Sequence, residues 1–181
     1  IALVTGASRG IGESLAIGLA DHGTDVIICD LESESKGLAN THKQIEKTGK
    51  KCWSYFLDVT KKSQIQKMVS DILNDIGSID ILVNNAGILT PTSLEDIDEE
   101  TWDSHFEVNT KGVLLMCQSV LPHMREKKFG RIINIASIAG RQGSPTQGHY
   151  ASTKSAVITL TRVLAQEVGE AGITVNAICP G

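Results

Sequence analysis

The stretch Thr5-Gly6-Ala7-Ser8-Arg9-Gly10-Ile11-Gly12 joins the first expected strand to the first expected helix. We expect Gly6 to make the tight turn that ends the first strand, because glycine tolerates backbone conformations closed to other residues. Gly10 would let the backbone approach a pyrophosphate, and Gly12 would let the following helix pack closely on the strand. The N-terminus of that helix would then face the negatively charged phosphates. The loop therefore predicts a dinucleotide site at the end of the first strand.

The rest of the chain alternates strand-like and helical segments. Strands are expected at Ile1–Thr5, Asp25–Cys29, Lys51–Leu57, Asp80–Asn84, Arg131–Ala136 and Thr174–Ile178. Helices are expected at Ile11–His22, Glu34–Thr48, Lys61–Ile76, Asp98–Lys127 and Tyr150–Glu170, with Pro122 bending or breaking the fourth near its end. Buried-looking strands that alternate with helices predict an α/β fold, a parallel sheet with helices on both faces.

Composition narrows the class of protein. The chain has 181 residues, of which 41% are hydrophobic and 21% charged, so it is long enough for one domain with one core. The formal charge of −4 argues against binding to nucleic acid or to an anionic membrane surface. No apolar run reaches the roughly 18 residues of a membrane span. Four scattered cysteines without zinc-site spacing predict reduced thiols, no metal and a cytoplasmic location.

An acidic residue ends the second strand. Asp30 follows Gly10 by 20 residues, where a carboxylate can accept hydrogen bonds from the hydroxyls of the adenosine ribose. The same carboxylate would repel a 2′-phosphate, so it favours NAD over NADP. Arg9 argues for the opposite preference, because a cation in the glycine loop could pair with that phosphate. We give Asp30 the greater weight and expect NAD(H).

Two further strands end in polar or small residues. Asp58-Val59 follows the third strand and could hold the edge and the face of the adenine, although a helix cap explains Asp58 equally well. Asn84-Asn85-Ala86-Gly87 follows the fourth strand, and its small residues and amides would permit close approach of a cofactor ribose. An asparagine-rich turn is the alternative for that segment.

Four side chains form a candidate catalytic group. Tyr150 and Lys154 open the last long helix one turn apart and therefore share a face. The Lys154 ammonium would stabilise a phenolate, so that Tyr150 could exchange a proton with an alcohol oxygen. Ser137, at the end of the fifth strand, could hydrogen-bond the same oxygen as charge develops on it. Asn109 lies in the middle of a helix, where it could bend the helix around a water molecule that connects Lys154 to solvent.

These motifs resemble those of the classical short-chain dehydrogenase/reductase family. The matching segments are TGASRGIG at Thr5–Gly12, DV at Asp58–Val59, NNAG at Asn84–Gly87, Asn109, Ser137, YASTK at Tyr150–Lys154 and PG at Pro180–Gly181. The resemblance implies a Rossmann-type doubly wound sheet of strand order 3-2-1-4-5-6. It also implies hydride transfer between nicotinamide and a carbonyl or secondary alcohol, with Tyr150 as general acid/base.

By this resemblance, Ser137, Tyr150, Lys154 and Asn109 are the catalytic residues. The residues expected to bind the cofactor are Gly6, Ser8, Arg9, Gly10, Ile11, Gly12, Asp30, Leu31, Asp58, Val59, Asn85, Ala86, Gly87, Tyr150, Lys154, Pro180 and Gly181. Leu89, Ala139, Gly140, Gln142 and Gly143 are expected to line the substrate pocket. A homotetramer or homodimer is implied, paired through the long helices.

The resemblance also implies the extent of the domain and suggests alternative functions for this chain. Residues 1–181 would form one dinucleotide-binding and catalytic domain without the C-terminal lid and seventh strand of the family. The segments GASRGIG at Gly6–Gly12, GRIINIAS at Gly130–Ser137 and GITVNAICPG at Gly172–Gly181 look like those of 3-oxoacyl-carrier-protein reductases and of sugar or polyol dehydrogenases. NADPH-dependent reduction of a 3-oxoacyl thioester is therefore the alternative to an NAD(H)-dependent enzyme. A catalytically silent dinucleotide-binding scaffold is the alternative of another class.

Overall fold

Six strands and seven α-helices alternate along the chain in the computed structural model, which describes residues 1–181. The strands are β1 (Ala2–Thr5), β2 (Val26–Asp30), β3 (Cys52–Phe56), β4 (Ile81–Asn84), β5 (Gly130–Ile135) and β6 (Ile173–Ile178). The helices are α1 (Gly10–Asp21), α2 (Ser35–Lys47), α3 (Lys62–Asp75), α4 (Glu99–Phe106), α5 (Gly112–Lys127), α6 (Ala139–Gln142) and α7 (Gly148–Val168). Three short 3-10 turns occupy Glu32–Glu34, Leu94–Asp96 and Gly169–Ala171.

All strands are parallel, in the order β3-β2-β1-β4-β5-β6. This confirms the doubly wound sheet predicted from the sequence. The chain winds outward from β1 to β3 and then returns to place β4 on the other side of β1. Crossover connections from β1 and β4 therefore leave in opposite directions, which opens a crevice beyond the carboxyl ends of these two strands.

Two apolar cores cover the faces of the sheet. The larger core packs α3, α5 and α7 onto one face through side chains such as Ile65, Met116 and Val157. The smaller core packs α1 and α2 onto the other face through Ala16 and Leu38. The helices are thus anchored on both sides, and their ends hold the loops of the crevice in fixed positions.

The predicted helix from Asp98 to Lys127 contains an interruption. A turn of π-helix at Glu107–Lys111 separates α4 from α5 and includes the fully buried Asn109. The expected break at Pro122 does not occur, because α5 continues past it to Lys127. Pro122 and Gln118 both lie on the exposed face of α5, so water can reach the carbonyl that proline leaves unpaired.

The longest helix, α7, has 21 residues and carries the Tyr150–Lys154 pair in its first two turns. It packs against β6, α6 and the π-helical turn, so its N-terminal end lies beside the carboxyl ends of β4 and β5. None of the helices combines the length and the apolar character needed to cross a lipid bilayer.

Candidate active site

The glycine loop adopts a conformation that only glycine permits. Gly6 and Gly10 have positive φ angles of 64° and 61°. A Cβ atom on Gly6 would lie 2.8 Å from the Cα atom of Ala86, and one on Gly12 would collide with the carbonyl of Gly6. No side chain caps the N-terminus of α1, so its free N–H groups are available to an anion. The loop has the form and polarity of a phosphate cradle.

The segment after β4 is fastened to this loop. The Thr5 hydroxyl accepts hydrogen bonds from the backbone N–H groups of Asn85 and Ala86, both at 3.0 Å. The Asn85 side-chain amide donates to the carbonyl oxygens of Thr5 and Gly6, at 3.0 and 2.9 Å. In the structure, the amide nitrogen of Asn85 therefore holds the glycine loop in place.

Charged groups surround the end of β2. The Asp30 carboxylate accepts the backbone N–H of Ser8 at 3.0 Å and that of Leu31 at 2.9 Å. One guanidinium nitrogen of Arg9 lies 3.1 Å from each carboxylate oxygen of Glu34. Asp30 and Arg9, which argue for opposite cofactor preferences, therefore both have hydrogen-bond partners within the protein. The partner of Arg9 is Glu34, which was not predicted from the sequence.

The segment after β3 combines a cap with an apolar wall. Asp58 Oδ1 accepts the backbone N–H and the hydroxyl of Thr60, at 2.9 and 2.8 Å, which fixes the entry to α3. Val59 is buried, and a Cβ atom on Gly112 would lie 2.9 Å from its Cγ2 atom. Both Asp58 and Val59 still line the cavity beside the glycine loop.

Tyr150, Lys154 and Ser137 line the same cavity. The Lys154 ammonium is 5.6 Å from the centroid of the Tyr150 ring and donates to the Ile135 carbonyl at 2.8 Å. Burial lowers the pKa of Lys154 to about 8. The Ser137 hydroxyl accepts the backbone N–H of Ala139 at 3.1 Å and keeps its proton available for a ligand. The arrangement can hold a ligand oxygen and exchange a proton with it.

The buried side chain of Asn109 forms hydrogen bonds with residues next to this group. Its amide oxygen accepts the N–H of Ile88 at 2.8 Å, and its amide nitrogen donates to the Ile88 carbonyl at 2.9 Å and to the Thr153 hydroxyl at 3.2 Å. A Cβ atom on Gly87 would lie 3.1 Å from Asn109 Oδ1 and 3.5 Å from Lys154 Nζ. Asn109 therefore ties the loop after β4 to α7.

The predicted site residues line two adjoining cavities. A cavity of about 490 Å³ contains Ser137, Tyr150, Lys154, Pro180 and Gly181. A second cavity of about 410 Å³ contains Gly6, Ser8, Arg9, Gly10, Asp30, Leu31, Asp58, Val59 and Ala86. Ile11, Asn85, Gly87 and Ile88 line both, so the cavities form one cleft that runs from the end of β2 to Tyr150. Of the predicted catalytic and cofactor-binding residues, only Gly12 and Asn109 do not line the cleft.

Four of the five residues expected to line a substrate pocket lie at the Tyr150 end of the cleft. Leu89, Ala139, Gln142 and Gly143 line the cavity, whereas Gly140 does not. Gly140 faces α7 instead, and a Cβ atom there would lie 2.7 Å from the carbonyl carbon of Lys154. The structure adds Ser144 and Gln147 to the lining, two polar residues that the spacing of the motifs did not indicate.

A buried pair of histidines lies beside Tyr150 and was not predicted. The His149 ring is fully buried on α7, in edge-to-face contact with His105 of α4 at 4.1 Å between centroids. His105 Nε2 accepts the N–H of Thr90, whereas neither ring nitrogen of His149 has a hydrogen-bond partner. Burial, with a smaller contribution from His105, lowers the pKa of His149. The two rings pack the start of α7 against α4.

The comparisons with known proteins identify the family. The family model described as short chain dehydrogenase matches residues 1–181. This chain belongs to the short-chain dehydrogenase family. The 3-oxoacyl-(acyl-carrier-protein) reductase FabG of Staphylococcus epidermidis is 41% identical over 180 residues, which cover 99% of this chain and 73% of that protein. The oxidoreductase UcpA of Salmonella typhimurium is 40% identical over 181 residues, which cover 99% of this chain and 68% of UcpA.

Solved structures of other short-chain dehydrogenases share the fold closely. A putative short-chain alcohol dehydrogenase from Sinorhizobium meliloti superposes with a TM-score of 0.95 at 38% identity, over 99% of this chain and 71% of that one. A variant of the actinorhodin polyketide ketoreductase, solved with NADPH, gives the same TM-score at 36% identity, over 99% and 69%. As a member of this family, the chain is an oxidoreductase that acts on a carbonyl or alcohol with a nicotinamide cofactor.

Proposed function

We propose that this short-chain dehydrogenase uses NAD(H), with Tyr150 as the general acid/base that serves a carbonyl or secondary alcohol. The observation that carries the proposal is the single cleft that joins the glycine loop to Ser137, Tyr150 and Lys154. A ligand long enough to contact both ends would place its far end against the Tyr150 hydroxyl. Bound nicotinamide would accept or supply the hydride there.

The glycine loop and the residues after β2 would hold the cofactor. The pyrophosphate would lie against the N-terminus of α1, where the positive φ of Gly10 leaves the backbone open to the cleft. Asp30 would accept hydrogen bonds from the adenosine ribose, which is the basis for NAD(H) over NADP(H). Leu31 is half-exposed at the same end of the cleft and would cover the adenine together with Val59.

Three side chains would handle the oxygen of the substrate. In the reductive direction, the Ser137 hydroxyl donates a hydrogen bond to the carbonyl oxygen as negative charge develops on it. Tyr150 donates its proton to that oxygen and becomes a phenolate. The ammonium of Lys154 stabilises the phenolate by its charge. Oxidation of an alcohol runs through the same groups, with Tyr150 accepting the proton.

A second candidate is the reduction of 3-oxoacyl thioesters with NADPH. The observation that favours it is the 41% identity to the reductase FabG of Staphylococcus epidermidis, together with the NADPH in the ketoreductase structure. Asp30 and the partnered Arg9 favour NAD(H) instead. The use of residues 1–181 as one domain, the cytoplasmic location and the homotetramer remain predictions.

The test combines cofactor titration with removal of the Tyr150 hydroxyl. The protein is titrated with NADH and with NADPH by fluorescence, and turnover is measured on ketones, polyols and a 3-oxoacyl thioester. Tyr150→Phe is expected to lower turnover by about 10²- to 10⁴-fold while the Kd for NADH stays within about twofold. Tyr55→Phe, on β3 and outside the cleft, is the matched control. Full turnover in Tyr150→Phe would remove the proposed role.

A further inference from the structure

Carboxylates outnumber cations at the adenosine end of the cleft. The side chains that line this cavity include three carboxylates, those of Asp30, Glu34 and Asp58, and one cation, Arg9. Asp58 is occupied with Thr60, and Asp30 accepts two backbone N–H groups. Arg9 is thus the single side chain on this wall that could attract a phosphate.

Glu34 forms an ion pair with Arg9. Arg9 belongs to the glycine loop, and Glu34 to the 3-10 turn directly after β2, so their contact bridges the two segments that flank the cavity. Both carboxylate oxygens lie 3.1 Å from the same guanidinium nitrogen. The Arg9 side chain is 78% exposed and that of Glu34 is 31% exposed. An ion pair this exposed adds at most about 1 kcal/mol to folding stability, so stability does not explain why the pair is present.

We propose that Glu34 is a cofactor-specificity residue, which withholds Arg9 from a 2′-phosphate and so disfavours NADP(H). This inference rests on the proposed function, because it assumes that the cleft holds a nicotinamide dinucleotide with its adenosine end beside Asp30. A 2′-phosphate at that end would have to separate Arg9 from Glu34 and then remain beside two carboxylates. A ribose with free hydroxyls meets neither obstacle and can use Asp30 as an acceptor.

The two acids are expected to act differently. Asp30 both repels a phosphate and holds Ser8, so its replacement also disturbs the glycine loop. The only hydrogen bonds of the Glu34 side chain are those with Arg9, and none reaches the backbone of the loop, so Glu34→Gln removes the charge without removing a backbone contact of the loop. The freed guanidinium can then pair with a phosphate in charge-assisted hydrogen bonds. Glu34→Gln should therefore raise the affinity for NADPH about tenfold and leave that for NADH within about twofold.

The experiment measures Kd values for NADH and NADPH by fluorescence on the unsubstituted protein, Glu34→Gln, Arg9→Met and the double variant. Glu32→Gln is the matched control, since Glu32 belongs to the same 3-10 turn and loses the same charge but does not line the cavity. The gain for NADPH is expected in Glu34→Gln, absent from Glu32→Gln, and absent when Glu34→Gln is made in the Arg9→Met background. It should also shrink as salt is added.

The outcomes separate this inference from the proposed function. A gain for NADPH that persists without Arg9, or that Glu32→Gln reproduces, overturns the role of Glu34, because a general charge effect then explains it. An unchanged NADPH affinity in Glu34→Gln overturns it as well. If the unsubstituted protein prefers NADPH and Glu34→Gln strengthens that preference through Arg9, the inference holds and the proposed NAD(H) preference fails. If neither dinucleotide binds, both fail.

Discussion

Asn109 and Ile88 form two hydrogen bonds with each other, in which one side-chain amide satisfies both backbone groups of one residue. The Ile88 N–H donates to the Asn109 oxygen at 2.8 Å, and the Asn109 nitrogen donates to the Ile88 carbonyl at 2.9 Å. Asn109 is fully buried in a π-helical turn, and Ile88 lines both cavities of the cleft. The widened turn thus sets the position of the wall between the two ends of the cleft.

Asn109→Ala should therefore lower the stability of the folded protein. The substitution leaves two backbone groups and the Thr153 hydroxyl without this partner, which is expected to lower the free energy of unfolding by about 2–3 kcal/mol. Urea denaturation measures the loss. Asn40→Ala is the control, because Asn40 has one long, exposed contact with Glu13 and should change stability by less than about 0.5 kcal/mol. Equal effects of the two substitutions would contradict the bridging role of Asn109.

Lys154 is expected to lower stability while it serves the reaction. Its pKa is about 8 in the folded protein and ordinarily about 10.5, so the unfolded chain holds this proton more tightly. The burial of the Lys154 ammonium therefore lowers the free energy of unfolding by its full amount below about pH 8. This free energy rises as the pH increases from about 8 to 10. Lys154→Met should raise the free energy of unfolding by about 2 kcal/mol at pH 7, somewhat less than the full shift because the bond to Ile135 is lost.

The same substitution should abolish turnover, since the phenolate of Tyr150 loses its stabilising charge. Thermal and chemical denaturation at pH 7 and at pH 9.5 measure the stability effect, and the difference between the variant and the parent should be smaller at the higher pH. Lys36→Met, on the exposed face of α2, removes a charge without burial and should leave the pH dependence intact. A destabilised Lys154→Met protein would show that the ammonium contributes to folding.

Two glycines of α1 should respond to alanine with opposite signs. A Cβ atom on Gly12 would collide with the Gly6 carbonyl and the Asn85 amide, so Gly12→Ala should lower stability by about 1–3 kcal/mol and weaken dinucleotide binding. A Cβ atom on Gly18 meets nothing within 4 Å, so Gly18→Ala should raise stability by about 0.5–1 kcal/mol. Thermal unfolding and cofactor titration of the two variants check both signs. A stable Gly12→Ala protein with normal binding would contradict the close packing.

The parallel sheet with helices on both faces was predictable because it follows from local patterns, whereas its strand order was predicted from the family resemblance. Apolar strands that alternate with helices allow few topologies, and the glycine loop marks the strand that lies beside the crevice. Tyr150 and Lys154 were predictable as a pair because one helical turn separates them. In each case the relevant residues lie close together in the sequence, so the pattern itself carries the geometry.

Partnerships between distant residues were not predictable. Arg9 pairs with Glu34, and His149 is buried against His105, because the sheet brings separate segments together. The amide nitrogen of Asn85 holds the glycine loop, a contact that spans about 80 residues of sequence. Of the bend or break expected at Pro122, the break does not occur, because a proline on the solvent face leaves the unpaired carbonyl of Gln118 in water. These contacts depend on burial and orientation, which a single sequence does not specify.

The central place of β1 also constrains how the protein acquires its fold. One edge of β1 pairs with β2, about 24 residues along the chain, whereas the other must wait for β4, with Ala2 opposite Ile81. Closing so long a segment costs chain entropy before any contact rewards it, and parallel pairing of this kind slows folding. A nascent chain on the ribosome cannot complete the middle of its sheet until β4 has emerged. β1 therefore keeps one edge unpaired after β2 has gained both of its neighbours, β1 and β3.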